Sequence, residues 1–230
     1  MKLLDLFCGA GGASMGYSRA GFDVTGMDIK PQPNYPFAFR QADVLEMMRH
    51  NALDLSAFDV VHASPPCQLW SKATQTQNRG THVDGVIPTR EYLSRWGGPY
   101  VIENVPPAPL VAPLMLCGSE FGLSITDENG KRWHLRRHRL FESNISMMGG
   151  GGCYCRLYKG SILTVAGSGL NGHRSKTGPG QTRASASQSR ELMGIDWASK
   201  AEVVQAIPPV YTQHLGWQLI AYLTEVRSHV

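Results

Sequence analysis

Apolar residues in this chain cluster in short runs, each closed by a glycine, a proline or an acid. Lys2-Leu3-Leu4-Asp5-Leu6-Phe7 reads as a strand entering the turn Cys8-Gly9-Ala10-Gly11-Gly12, and Ala13 to Ala20 has helix-forming character that Gly21 ends. Phe22 to Met27 is a second strand ending at Asp28, Gln41-Ala42-Asp43-Val44 is the next strand-to-helix junction, and Phe58 to Ala63 runs into Pro65-Pro66-Cys67-Gln68. Tyr100-Val101-Ile102 ends at Glu103. Tyr211 to Val226 is amphipathic, with Leu215, Leu219, Ile220, Leu223 and Val226 on one face; it should pack on the first helix, with Trp217 and Tyr222 in the core. Strands alternating with helices predict an α/β fold with a mostly parallel, doubly wound sheet, its body in residues 1–145 and completed by residues 189–230.

Two segments break the pattern. Lys72 to Arg90 is polar and carries Gly80, Gly85 and Pro88, so it is either a surface loop or a lid beside Cys67. Residues 146–188 are glycine-rich and basic, which fits a linker or a small loop-rich lobe.

Chemistry concentrates at the carboxyl ends of the strand runs, which in an open α/β sheet converge on one crevice. The prolines fix φ and remove donors, so Cys67 sits on a stiff turn and its thiol can be aimed; a lone cysteine is otherwise more often an inert core residue. The Gly9-x-Gly11-Gly12 turn lets backbone approach a ligand at a helix N-terminus, without the third glycine of the dinucleotide pattern. Asp28 falls where an acid meets ribose hydroxyls, and Asp43 is a helix N-cap or a partner for an adenine amino group. Together they suggest a nucleoside site, with Glu103 brought towards Cys67 from another strand end.

These residues carry a resemblance to the cytosine-5 DNA methyltransferases. Asp5-Leu6-Phe7-Cys8-Gly9-Ala10-Gly11-Gly12 resembles that family's S-adenosylmethionine loop, Pro65-Pro66-Cys67-Gln68-Leu69-Trp70-Ser71 its nucleophile motif and Glu103-Asn104-Val105 its acid motif. Arg137-His138-Arg139-Leu140-Phe141 is similar to its arginine pair, and Arg190 to Ile195 and Ala206-Ile207-Pro208-Pro209 to its last two motifs. The resemblance implies a Rossmann-like methyltransferase using S-adenosylmethionine, with Cys67, Glu103, Arg139 and Arg137 catalytic. It implies cofactor contacts from Phe7, Cys8, Gly9, Ala10, Gly11, Asp28, Ile29, Asp43, Val44, Pro65, Gln205 and Ala206. Double-stranded DNA would meet Gln68, Ser71, Lys72 and Arg79 near the lid, and Arg174, Lys176 and Arg183 in a small recognition lobe at 146–188. In this reading Arg139 holds the cytosine carbonyl and lowers the thiol pKa. An RNA methyltransferase and a catalytically silent cofactor- and DNA-binding regulator are the other readings. The chain departs from the family at Leu135 (glutamine), Val204-Gln205 (glycine-asparagine) and Asp28 (often glutamate), and has fewer than fifty residues between Phe141 and Arg190.

Charge adds little: a net +4 allows a nucleic-acid partner without demanding one. Five cysteines, an odd number, argue for a reducing compartment. Cys153 and Cys155, with His138 and His173 elsewhere, lack zinc-finger or ribbon spacing, so no metal is expected. With no long apolar run and no basic leader, the expectation is a cytoplasmic monomer of bacterial or phage origin, away from membranes. A restriction endonuclease partner is not readable from the chain.

Overall fold

A computed structural model describes residues 1–70, 84–165 and 181–228. The body begins with β1 (Lys2–Leu6), α1 (Gly12–Ala20), β2 (Asp23–Asp28), β3 (Ala38–Gln41), α2 (Val44–Arg49), β4 (Val60–Ala63), α3 (Val86–Trp96) and β5 (Tyr100–Asn104). Shorter strands follow: β6 (Leu114–Leu116), β7 (Ser124–Thr126), β8 (Arg132–Leu135), β9 (Arg139–Ser143), β10 (Ile162–Thr164) and β11 (Gln181–Arg183). The chain closes with α4 (Ala186–Met193), α5 (Lys200–Val203) and α6 (Pro209–Ser228).

Seven strands form the main sheet in the order β3-β2-β1-β4-β5-β9-β6. The first five are parallel, and β9 runs antiparallel between β5 and β6. The central strands are apolar on both faces because helices cover both. Leu3, Val24, Val60 and Val101 pack with Tyr17 of α1 and Tyr211, Leu215 and Leu219 of α6. The alternate positions Leu4, Leu6, Met27, Val61 and Ile102 pack with Val44 and Met48 of α2 and Leu93 of α3. α1 and α6 meet at glycine: a Cβ on Gly16 would lie 2.0 Å from the Pro209 carbonyl oxygen and 2.1 Å from Thr212 Oγ1.

The doubly wound sheet is as expected, and α6 lies on α1. Two details of the last helix differ. Trp217 is 55% exposed and Val226 44%, so neither belongs to the core, because a helix of this length turns some apolar positions outward; Tyr222 does pack against the core. The division of the chain differs too. A second sheet, in the order β11-β10-β8-β7, takes β7 and β8 from before residue 145 and β10 and β11 from after it. The 145/146 boundary therefore cuts through one structural unit, because β8 pairs in parallel with β10.

Candidate active site

β4 delivers the Pro65-Pro66-Cys67 turn and β5 delivers Glu103 and Asn104; the strands are parallel neighbours, so their ends lie side by side. Asn104 Nδ2 donates to the Pro65 carbonyl at 2.9 Å, tying the two turns. Gly85, before α3, is packed on the prolines: a Cβ there would sit 2.9 Å from Pro66 Cδ. The half-buried Cys67 is thus held from two sides by backbone rather than by its own side chain.

Glu103 is buried, and Arg139 of the adjacent β9 brings Nε to 2.9 Å from Glu103 Oε1. That contact is an ion pair without hydrogen-bond alignment, so Oε1 is buried with no aligned donor. Behind Glu103 runs a polar chain. Tyr17 Oη lies 3.0 Å from His62 Nδ1, His62 Nε2 lies 3.0 Å from Ser64 Oγ, and the Ser64 side chain hydrogen-bonds Glu103. The consistent assignment has Tyr17 donating to Nδ1, Nε2–H donating to Ser64, and Ser64 donating to the carboxylate. Nothing in the local sequence announced His62 and Ser64, which occupy an otherwise apolar strand end.

Burial pushes the Glu103 carboxyl above its ordinary value against the opposing Arg139, Ser64 and Arg137. Burial also pushes the Cys67 thiol up, helped by Glu103, and Arg139 and Arg137 only offset part of this. Arg139 lowers the thiol pKa as expected, but desolvation outweighs it and the net displacement is upward. Arg137 is buried and spends its donors on backbone. Its guanidinium donates to the carbonyls of Val165 at 2.8 Å, Val204 at 3.0 Å and Ala206. Burial and the neighbouring Arg139 pull its pKa down to about 9. It braces the Val204–Ala206 loop against the second sheet.

The second cleft is built at the ends of β1 and β2. Phe7 has φ 59° and Gly11 φ 84°, a tight turn that starts α1. Gly9 N donates to Asp28 Oδ2 and Lys30 N to Asp28 Oδ1, each at 3.0 Å, so Asp28 organises the turn it faces. Ile29 stands 56% exposed beside it, and Gly9 faces open space. An exposed apolar side chain, an acid and open glycine backbone fit an adenosine group. Tyr35, which the sequence did not single out, covers this turn: its hydroxyl pairs with Ser14 Oγ at 2.8 Å and its ring would meet a Cβ on Gly11 at 2.9 Å. Cys8 is buried, its thiol held far above its ordinary pKa by desolvation. Asp43 caps α2 by accepting from Glu46 N at 3.1 Å, and Val44 behind it is core. Pro65 is buried, Gln205 is exposed, and the Ala206 carbonyl is held by Arg137.

Gln68 is exposed beside Cys67, and Arg183 lies in β11. Ser71, Lys72, Arg79, Arg174 and Lys176, with most of the lid, lie outside the described residues. Leu135, where the family has glutamine, is fully buried in the second sheet's core. Among the described residues no helix is long and apolar enough to cross a membrane.

A parallel sheet presenting a turn-mounted thiol, a buried acid and an arginine beside a glycine turn and ribose-type acid defines a Rossmann-like methyltransferase fold. Residues 1–86 match the family described as C-5 cytosine-specific DNA methylase. It is similar to the Type II methyltransferase M.FnuDI of Fusobacterium nucleatum, 34% identical over 80 residues, which are 32% of this chain and 22% of that protein. It is also similar to the Type II methyltransferase M.AgeI of Thalassovita gelatinovora, 30% identical over 119 residues, 46% of this chain and 28% of that protein. The matched stretches thus span about a quarter of those relatives' length. Among solved structures, the chain superimposes on a putative DNA modification methyltransferase encoded within a prophage of E. coli, with TM-score 0.54, 14% identity and 97% of this chain and 99% of that one covered. The S. pombe Dnmt2 methyltransferase gives a TM-score of 0.59 at 11% identity, covering 97% of this chain and 99% of that one. At these identities the likeness is one of fold.

Proposed function

We propose that this chain methylates carbon 5 of cytosine in double-stranded DNA, with Cys67 as nucleophile. What carries the proposal is the juxtaposition of Cys67 with a buried Glu103 whose Oε1 lacks an aligned donor and which is ion-paired to Arg139. Carbon 5 of cytosine is weakly nucleophilic until a thiolate adds at carbon 6 and makes the ring an enamine. Cys67 loses its proton and forms that bond. Glu103, protonated at this stage, hydrogen-bonds ring nitrogen 3 and takes up the developing charge, which its raised pKa favours. Arg139 donates to the carbonyl oxygen at position 2. Phe7, the Gly9–Gly11 turn, Asp28 and Ile29 would hold S-adenosylmethionine, which would supply an electrophilic methyl group at a sulfonium. Water in the site then accepts the carbon 5 proton, the electron pair restores the 5,6 double bond, and the carbon 6–sulfur bond breaks to return Cys67 as a thiolate. The base must leave the duplex, at a cost of a few kcal/mol; Gln68 and the basic residues 72, 79, 174, 176 and 183 are proposed to hold the strand. Thiol, acid and arginine come from a single chain, so the working unit is proposed to be the monomer, in a bacterial or phage-infected cytoplasm and with or without a companion endonuclease.

DNA with 5-fluorocytosine at the target tests this, because fluorine cannot leave as the proton does. Wild-type protein with S-adenosylmethionine should be trapped in an adduct that survives denaturing electrophoresis, and Cys67→Ala should form none. An adduct on Cys67→Ala refutes the assigned nucleophile, and trapping of fluorinated RNA alone moves the substrate from DNA to RNA.

A further inference from the structure

Four side chains outside the reaction site converge where the two sheets approach each other. Cys117 follows β6, His138 precedes β9, and Cys153 and Cys155 lie in the loop between β9 and β10. Their ligand atoms all lie within 4.8 Å of one another. Cys153 Sγ is 3.1 Å from Cys155 Sγ and 3.2 Å from His138 Nε2, and Cys155 Sγ is 3.5 Å from the same nitrogen. A disulfide needs about 2.05 Å between sulfurs, so the pair is not one. Tetrahedral zinc with bonds of about 2.3 Å to sulfur and 2.0–2.1 Å to nitrogen spaces its ligand atoms by about 3.5–3.8 Å. Cys153, Cys155 and His138 are slightly contracted against those spacings, and Cys117 lies within 4.8 Å of each of them, within reach of the fourth corner. Thiols are weak hydrogen-bond donors, so hydrogen bonding alone gives no reason to gather three sulfurs and an imidazole here.

We propose that Cys117, His138, Cys153 and Cys155 form a structural zinc site of the three-cysteine, one-histidine type. Each thiol gives its proton to solvent on binding, and neutral His138 ligates through Nε2. Ser119 Oγ lies 3.3 Å from Cys117 Sγ and 3.8 Å from Cys153 Sγ, so its single O–H can donate to either as a thiolate, the outer-shell support such ligands use. Cys155 and Ile162 close the apolar side with Tyr158. All four ligand positions are spoken for by protein, as in a closed, non-catalytic site. Positive φ at Gly151 (114°) and Gly152 (104°) lets the chain turn sharply into Cys153. The sequence expectation of no metal rested on the spacing of Cys153 and Cys155; Cys117 escaped it because the fold, not the spacing, brings it in.

The site's purpose follows from its neighbours. β6 and β10 have only three residues each, too few hydrogen bonds to fix the junction between the sheets. His138 lies between Arg137, which braces the Val204–Ala206 loop, and Arg139, which pairs with Glu103. Zinc on His138 would hold both arginines in register.

Wild-type protein purified from zinc-supplemented cells is expected to hold one zinc per chain. Its cobalt-substituted form should show thiolate-to-cobalt charge transfer and the intense visible absorption of a tetrahedral centre. Cys153→Ser combined with Cys155→Ser should lose the zinc, and Cys67→Ser should keep it. A wild-type chain without zinc, a cobalt form lacking thiolate bands, or equal zinc in the double serine variant overturns the proposal. The cobalt spectrum is read on unmutated protein, so misfolding of a variant cannot decide the outcome, and neither result depends on methyl transfer.

Discussion

At the scale of single residues, proton count decides the proposed reaction. Both Cys67 and Glu103 have pKa values displaced upward, chiefly by burial, yet attack needs the thiol ionised and the acid protonated. The rate should therefore rise with pH as Cys67 ionises and fall as Glu103 loses its proton, leaving only a small fraction in the reactive state. Glu103→Gln, measured as a pH profile of single-turnover methylation, should lower the maximum and remove the descending limb; a limb that survives would assign it to another group. The cofactor end is tested by Asp28→Ala. Removing an acceptor of charge-assisted hydrogen bonds should cost roughly 1.5–3 kcal/mol and weaken S-adenosylmethionine binding by about one to two orders of magnitude in calorimetry. Because Asp28 also accepts from Gly9 and Lys30, Asp28→Glu serves as the control and should recover most of the affinity.

At the scale of elements, β1 and β4 place Asp5 opposite His62 with both fully buried, and their pH dependences oppose each other. Burial pushes Asp5 up to about 7, although Ser14 donates to it, and pushes His62 down to about 3. Between Asp5's ordinary 3.8 and about 7 the folded state holds the extra proton, so this group makes stability fall as pH rises. Between about 3 and His62's ordinary 6.5 the unfolded state holds it, so that group makes stability rise with pH. Urea midpoints for the wild type should be nearly flat from about pH 4 to 6.5. Asp5→Asn should expose the rising slope and His62→Gln the falling one; parallel profiles in all three proteins would contradict the assignments. On the same face of β1, within α1, Gly16→Ala should cost several kcal/mol, because its methyl would collide with α6 backbone that cannot move separately. Elements with a strong local signal were legible in the sequence: the Gly21 stop, the Asp43 cap and the β4 run into the two prolines. β10 and β11 have three residues each and take their register from partners remote in sequence, so no local period marked them; β7, also of three residues, is too short to show a period and pairs with β8 across a hairpin. Cys67 and Glu103 were legible because strand ends converge, and Arg139 only through the family resemblance; the Tyr17–His62–Ser64 chain was not, because polar residues inside a buried strand look like defects until their partners are seen.

At the scale of the whole molecule, what can read sequence on DNA is small. The second sheet is four strands of three or four residues, and Leu135, Leu163 and Val165 point into its core with Leu192 and Met193 of α4. Among the described residues few side chains of this sheet remain to approach a groove, and each well-formed base contact supplies only about 1–3 kcal/mol of discrimination. Fewer than fifty residues separate Phe141 from Arg190, and part of that stretch is spent on the Gly149–Gly152 turn and the cysteine loop. The net charge of +4 gives a mild electrostatic hold on phosphates, which adds affinity but no sequence preference. The specified site should accordingly be short, with one or two fixed neighbours around the target cytosine. Random-sequence DNA methylated to low conversion and then sequenced with detection of 5-methylcytosine reads this directly. A strict six-base-pair site would require several further base contacts, and finding one would show that residues outside those described here build a recognition surface larger than this fold presents.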